Sequence, residues 1–139
     1  MGLTLRRAEL ERLHAHAIEG YPHEVVGILA GSRDTCHVSK VVSLTNERAD
    51  SPANRYHVSA MVLFRAEQAL EAEGLEIVGY YHSHPDHPSR YSDFDRDHAL
   101  PAMSYLIVSV LSGHVATMQS WRLRDDRSSM DEESITLEE

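Results

Sequence analysis

Cysteine is almost missing from this chain: Cys36 stands alone among 139 residues. A single cysteine can form neither an intramolecular disulfide nor a Cys-x-x-Cys zinc site. Basic side chains are outnumbered, 13 against 22 acidic, which leaves a net charge of −9. That sign disfavours non-specific binding to nucleic acid or to an anionic membrane, so neither is expected as a partner. No apolar run approaches the roughly 18 residues of a membrane-spanning helix. The N-terminal stretch MGLTLRRAELERLHAH is charged throughout and lacks the apolar centre of a secretory signal. A cytoplasmic location is the resulting expectation. No repeat and no low-complexity tract interrupts the chain.

What remains reads as one globular domain over residues 1–139. A chain of this size buries roughly 68–70% of its unfolded surface, enough for a real core. Residues 4–19 carry Leu10, Leu13, Ala17 and Ile18 on one helical stripe, with Thr4 as N-cap and Gly20 as the end. VVGILAG (25–31) and CHVSKVVSL (36–44) read as a hairpin turning at SRDT. Residues 45–55 are a polar loop, followed by a short YHV strand and an N-cap at Ser59. Behind it Val62, Leu63, Ala66, Ala69 and Leu70 form a second helical stripe that stops at Gly74. LEIVGYYHSH (75–84) is apolar on both faces and should be a central strand, with Gly79 marking a close approach by another backbone or side chain. A short helix over 92–100, a hairpin from 104–111 to 116–124, an acidic loop over 125–134 and a last strand ITLEE complete the chain. The class is α/β, a mixed β-sheet flanked by helices.

Histidine is abundant, with ten in the chain, and two His-x-His triplets raise the question of a metal site. On a strand, residues i and i+2 share a face, so His82 and His84 project together while Ser83 turns away. On a helix the same spacing separates side chains by about 200°, which sets His14 and His16 aside. A catalytic zinc usually takes three protein ligands and leaves a position for water. Asp86, Asp93, Asp95, Asp97, His87 and His98 all lie close enough to supply the third, and spacing alone does not choose among them.

Two segments carry a resemblance that does choose. His82-x-His84, seven residues, Ser92, two residues and Asp95 resembles the H-x-H-x7-S-x2-D signature of the JAMM (MPN-plus) zinc metalloproteases. Upstream, Pro22, Glu24, Gly27, Leu29 and Gly31 are similar in spacing to the family's P-x-E-x-x-G-x-L-x-G pattern. The chain looks most like the small stand-alone bacterial members, over nearly its whole length. The resemblance implies a JAMM/MPN-like single domain. It implies that His82, His84 and Asp95 bind Zn2+, that Glu24 is the general base and that Ser92 hydrogen-bonds the developing oxyanion. It further implies hydrolysis after the C-terminal Gly-Gly of a ubiquitin-like sulfur-carrier protein, releasing an amino acid or an extension. There is room for a homodimer.

Blander readings stand beside these. Ser92-x-x-Asp95 is also close to a helix capping box. Glu24 by itself is an ordinary surface acid. Trp121 and Tyr105 read as core, His87 and His98 as bystanders and Cys36 as inert. The rival function is a non-catalytic MPN-type scaffold domain, which would normally have lost some of the ligands that this chain retains. Barrel amidohydrolases also use His-x-His on a strand but need roughly 250 residues.

Overall fold

The computed structural model describes residues 2–46 and 58–139. In chain order the elements are β1 (Leu3–Arg6), α1 (Arg7–Gly20), β2 (Val26–Ser32), β3 (His37–Leu44), α2 (Ala60–Ala72), β4 (Glu76–Pro85), α3 (Asp93–His98), β5 (Ser104–Leu111), β6 (His114–Leu123), β7 (Met130–Glu133) and β8 (Ile135–Glu138). They form one eight-stranded mixed sheet of order β7-β6-β5-β4-β2-β3-β1-β8. The pairs β4–β5, β1–β3 and β1–β8 are parallel. β7 and β8 end the strand order on opposite sides, yet only Ser134 separates them in the chain. The sheet therefore curls until its two ends meet, and the Leu3 N–H donates to the Ser134 carbonyl at 2.8 Å.

Each face of the sheet has its own helix. Leu10, Leu13 and Ala17 of α1 pack with Leu3, Leu5, Leu29, Val78, Tyr81, Leu106 and Val108. Leu70 of α2, with Val62, Leu63 and Ala66, packs on Val26, Ile28, Ala30 and Ile77. Consecutive residues of β2 thus serve opposite cores, as a strand covered on both sides requires. β4 lies between β2 and β5, the central position its two apolar faces imply. A Cβ at Gly79 would come within 1.9 Å of the Ser104 carbonyl oxygen, so the close approach expected there is backbone from β5.

Two expectations about local structure need correction. The first helix does not begin at Thr4: residues 3–6 are a strand, and α1 starts at Arg7 behind an Arg6 N-cap that makes no side-chain cap. Leu3 and Leu5 are both fully buried, a period of two that belongs to β1 and is satisfied by pairing with β3 and β8. The acidic stretch 125–134 is not all loop, because Met130–Glu133 pairs with β6 as β7. Tyr56 and His57 of the expected YHV strand and most of the preceding polar loop lie outside the described residues. Ser59 does cap α2, accepting the Val62 N–H at 3.3 Å. Among the described residues no helix is long and apolar enough to cross a membrane.

Candidate metal centre

The antiparallel register of β2 on β4 builds the site. Val26 lies opposite His82, and the same register carried two places on sets Glu24 opposite His84. On β4 the two imidazoles share the α2 side of the sheet with Tyr80, while Tyr81 and Ser83 turn to the other. Ser83 is tied down there: its hydroxyl accepts the Val25 N–H at 2.9 Å, and its own N–H reaches the Val25 carbonyl at 3.1 Å. Asn46 Nδ2 donates to the Glu24 carbonyl at 2.9 Å. Glu24 is therefore held by backbone contacts on both sides, and it is buried.

Three ligand-type groups converge. His82 Nε2 and His84 Nε2 are 3.2 Å apart; His82 Nε2 lies 3.2 Å from Asp95 Oδ1, and His84 Nε2 3.2 Å from Asp95 Oδ2. Metal–ligand bonds of about 2.0–2.1 Å at the tetrahedral angle put neighbouring ligand atoms roughly 3.3 Å apart. The two Nε2 atoms have the separation of neighbouring ligands in such a tetrahedron, and the Asp95 carboxylate faces them with one oxygen toward each. Glu24 offers a carboxylate oxygen within 4.8 Å of a ring nitrogen of each histidine, so Glu24, His82 and His84 also qualify as a metal-capable group. The side-chain set of two imidazoles and carboxylates suits a borderline divalent ion.

The electrostatics agree. Burial by itself would raise the Asp95 pKa, but the His82 charge, hydrogen bonds from His82 and His84, and the Ser92 N–H hold its carboxyl well below the usual carboxylate range. Burial would lower the pKa of His82, and the Asp95 carboxylate outweighs it, with a net rise. An ionised, buried carboxylate under two imidazoles is a place for a cation. His84 Nδ1 lies 2.8 Å from the Pro88 carbonyl oxygen, which can only accept. That contact fixes a proton on Nδ1 and aims Nε2 at Asp95 and His82, so that a metal taking the place of the Nε2 proton would meet the ring in the orientation a ligand needs.

The helix that supplies Asp95 is fixed by its cap. Ser92 Oγ accepts the Asp95 N–H at 3.1 Å while the Ser92 N–H donates to Asp95 Oδ2 at 2.9 Å. The capping-box reading of Ser92 and Asp95 is correct, and it is compatible with the site: the box aims the carboxylate at the histidines. The Ser92 hydroxyl is exposed and uses an acceptor lone pair in the box, so its hydrogen is available to another oxygen.

The loop from Asp86 to Tyr91 is stapled to the β5–β6 hairpin. The Asp86 N–H donates to the Val110 carbonyl at 2.7 Å, and Ser109 Oγ donates to the His87 carbonyl. Ser89 Oγ meets Thr117 Oγ1 at 2.8 Å and Gln119 Oε1 at 2.9 Å, and Trp121 Nε1 donates to the Ser89 carbonyl at 3.0 Å. Asp86, at a left-handed φ of 57°, accepts from the Ser112 N–H and from the Tyr21 hydroxyl. Of the six candidates for a third ligand, the structure brings only Asp95 to the histidines. Asp93 and Asp97 face Arg96 at the surface, and His98 stacks on Phe94. His87 lines the cleft without joining the His82, His84 and Asp95 contacts. The cleft measures about 420 Å³, and Glu24, His84, Ser92 and Asp95 line it together with His87, Arg90 and Tyr91.

The family described as prokaryotic homologs of the JAB domain matches residues 6–124. The chain belongs to that family. Among its relatives are a probable TtuB-protein conjugate cleaving protease of Thermus thermophilus, 37% identical with 76% of this chain and 68% of that protein covered. A desampylase of Haloferax volcanii is 34% identical, with 77% and 80% covered. The solution structure of a Desulfitobacterium hafniense protein superposes with a TM-score of 0.85 at 31% identity, covering 99% of this chain and 93% of that one. A JAB1/MPN domain protein of Archaeoglobus fulgidus, at 18% identity, shares the fold with a TM-score of 0.63 over 99% of this chain and 100% of that one. The JAMM/MPN-like fold expected from the two motifs is thus borne out for this member of the JAB family.

Sequence reasoning missed the groups that hold the site still. Ser83 carries one legible signal, since strand alternation turns it away from the histidines toward β2. For Asn46, Asp86 and Ser89 the sequence has no signal, because their partners come from elements far away in the chain.

Proposed function

We propose that this JAB-family chain is a zinc metallopeptidase that hydrolyses the bond after the C-terminal Gly-Gly of a ubiquitin-like sulfur-carrier protein. His82, His84 and Asp95 would hold the metal, with Glu24 as general base and Ser92 as the oxyanion donor. The observation that carries this reading is the convergence of the His82 and His84 Nε2 atoms and the two Asp95 carboxylate oxygens at 3.2 Å, with a buried Glu24 carboxylate beside them. A zinc ion bound there supplies a Lewis acid that polarises a carbonyl and lowers the pKa of a water to about 7.

The chain's own groups do the rest. Glu24 accepts a proton from the attacking water and returns it to the amine as the C–N bond breaks. The Ser92 hydroxyl donates to the carbonyl oxygen as charge builds on it, an interaction worth about 3 kcal/mol. The capping box, the Pro88 carbonyl and the stapled loop keep Asp95 and His84 from reorganising during the reaction. One water is consumed, and the products are a carrier ending in a Gly-Gly carboxylate and a free amine. The protease and desampylase names of the two relatives support a carrier-conjugate substrate.

The test is incubation with ubiquitin-fold carriers extended beyond Gly-Gly, read by mass spectrometry with and without a chelator. Zinc-dependent release of the extension supports the reading. A carrier left intact by zinc-loaded protein, or cleavage that survives complete metal removal, would overturn it.

A further inference from the structure

Arg90 stands out in the cleft wall. Arg7, Arg96, Arg122 and Arg124 each face a carboxylate. Arg90, in a chain with a net charge of −9, makes no ion pair among the described residues. Its guanidinium carbon sits 4.9 Å from the Tyr91 ring centroid and 5.6 Å from that of Trp121. That platform is rigid: the two rings meet edge to face at 5.1 Å, and Trp121 is buried with its Nε1 tied to the Ser89 carbonyl. Contact with two aromatic faces orients the guanidinium while leaving N–H donors unused. The position is two residues from Ser92, in the cleft that also holds Glu24 and Asp95. A substrate carboxylate entering there would be repelled by Glu24 unless a cation received it.

We propose that Arg90 receives a carboxylate on the departing side of the scissile bond, so that the preferred substrate is a carrier extended by one free amino acid. This rests on the peptidase reading above. The assignment to the departing side follows from the substrate's chemistry. The two residues before the bond are glycines without side chains, which keep the first acyl-side functional group roughly 7 Å away. On the other side, the α-carboxylate of a single released residue is one Cα from the scissile nitrogen. A carrier joined to a lysine Nζ of another protein has only methylenes there. The guanidinium fork matches a carboxylate with two parallel hydrogen bonds, so the two substrate types are separated by a charge-assisted contact.

The experiment compares zinc-loaded protein on one ubiquitin-fold carrier ending in Gly-Gly-Ala, as the free acid and as the alaninamide. The expected preference for the acid is about tenfold in kcat/KM, carried by KM, as for the loss of one charge-assisted hydrogen bond. Arg90→Gln should bring the acid-to-amide ratio to about one, and Arg90→Lys should restore part of it. Equal turnover of acid and amide by the wild type overturns the proposal and leaves the peptidase reading standing. So does a variant that slows both by the same factor. If neither substrate is cleaved, both readings fall together.

Discussion

Ser83 Oγ accepts the Val25 N–H at 2.9 Å across 58 residues of sequence. Ser83 separates the two histidines of the proposed metal centre, and Val25 follows Glu24. One buried hydrogen bond therefore sets the distance between the strand carrying the proposed ligands and the carboxylate proposed as base. Ser83→Ala leaves the Val25 N–H without its side-chain acceptor at a cost of about 1–3 kcal/mol. The expected outcome is a lower Tm with zinc content intact and kcat reduced more than KM. Turnover equal to wild type would show that Glu24 is placed without this contact.

Glu24→Gln separates base from ligand. The amide keeps the size of the side chain and cannot accept the proton. Zinc content measured by elemental mass spectrometry should stay near one per chain while turnover falls by about 10² to 10⁴. Wild-type cleavage by this variant would remove Glu24 from the mechanism; loss of the zinc would make it a ligand instead.

Asp95→Ala tests the third proposed ligand. Removing groups that only orient ligands costs about 10- to 100-fold in metal affinity, so losing Asp95 itself should exceed about 100-fold. The metal-free variant should also lose about 0.5–2 kcal/mol with its capping box. Asp93→Ala and His87→Ala should retain zinc as the wild type does. Competition with a chromogenic chelator measures all three, and an equal loss for His87→Ala would mean that the loop histidine completes the site.

The two helical histidines give a pH dependence unrelated to metal. Burial lowers the pKa of His14 and His16. In the unfolded chain both titrate near about 6.5. Between that value and their lower folded values the unfolded state binds more protons, so stability rises with pH. The contribution is complete above about pH 6.5 and is lost as acid brings the pH down through the folded values. Urea titrations between pH 8 and pH 5 should show a shallower acid decline for the double variant His14→Gln/His16→Gln than for wild type. Parallel declines would rule these histidines out as its source.

His16 also shows how much of a motif depends on its surroundings. Its Nδ1 and the Tyr81 hydroxyl lie 2.7 Å apart, so this His-x-His member serves the core. Helical geometry is enough to exclude the pair as a chelate, but the Tyr81 partner comes from β4 and has no sequence signal. In the same way the 92–95 spacing contains both a capping box and the carboxylate proposed as a ligand. Local chemistry could not rank the two roles, and the fold makes the box while turning the same carboxylate to the histidines.

By itself the sequence determined what short-range periodicity and spacing encode. A strand puts His82 and His84 on one face, a helix separates His14 and His16, and Ser92 starts a helix with Asp95 one turn in. These follow from backbone geometry over a few residues. The match of both motifs to the family rested on spacing and was likewise legible. The tertiary structure decided which distant groups meet. It set Val26 opposite His82 and so brought Glu24 to the histidines. It turned Leu3–Arg6 and Met130–Glu133 into strands, and it drew Asp95, rather than Asp93 or Asp97, into contact with two imidazoles. Alternation states which way a side chain points, whereas its partner is chosen by strand pairing and core packing across the whole chain.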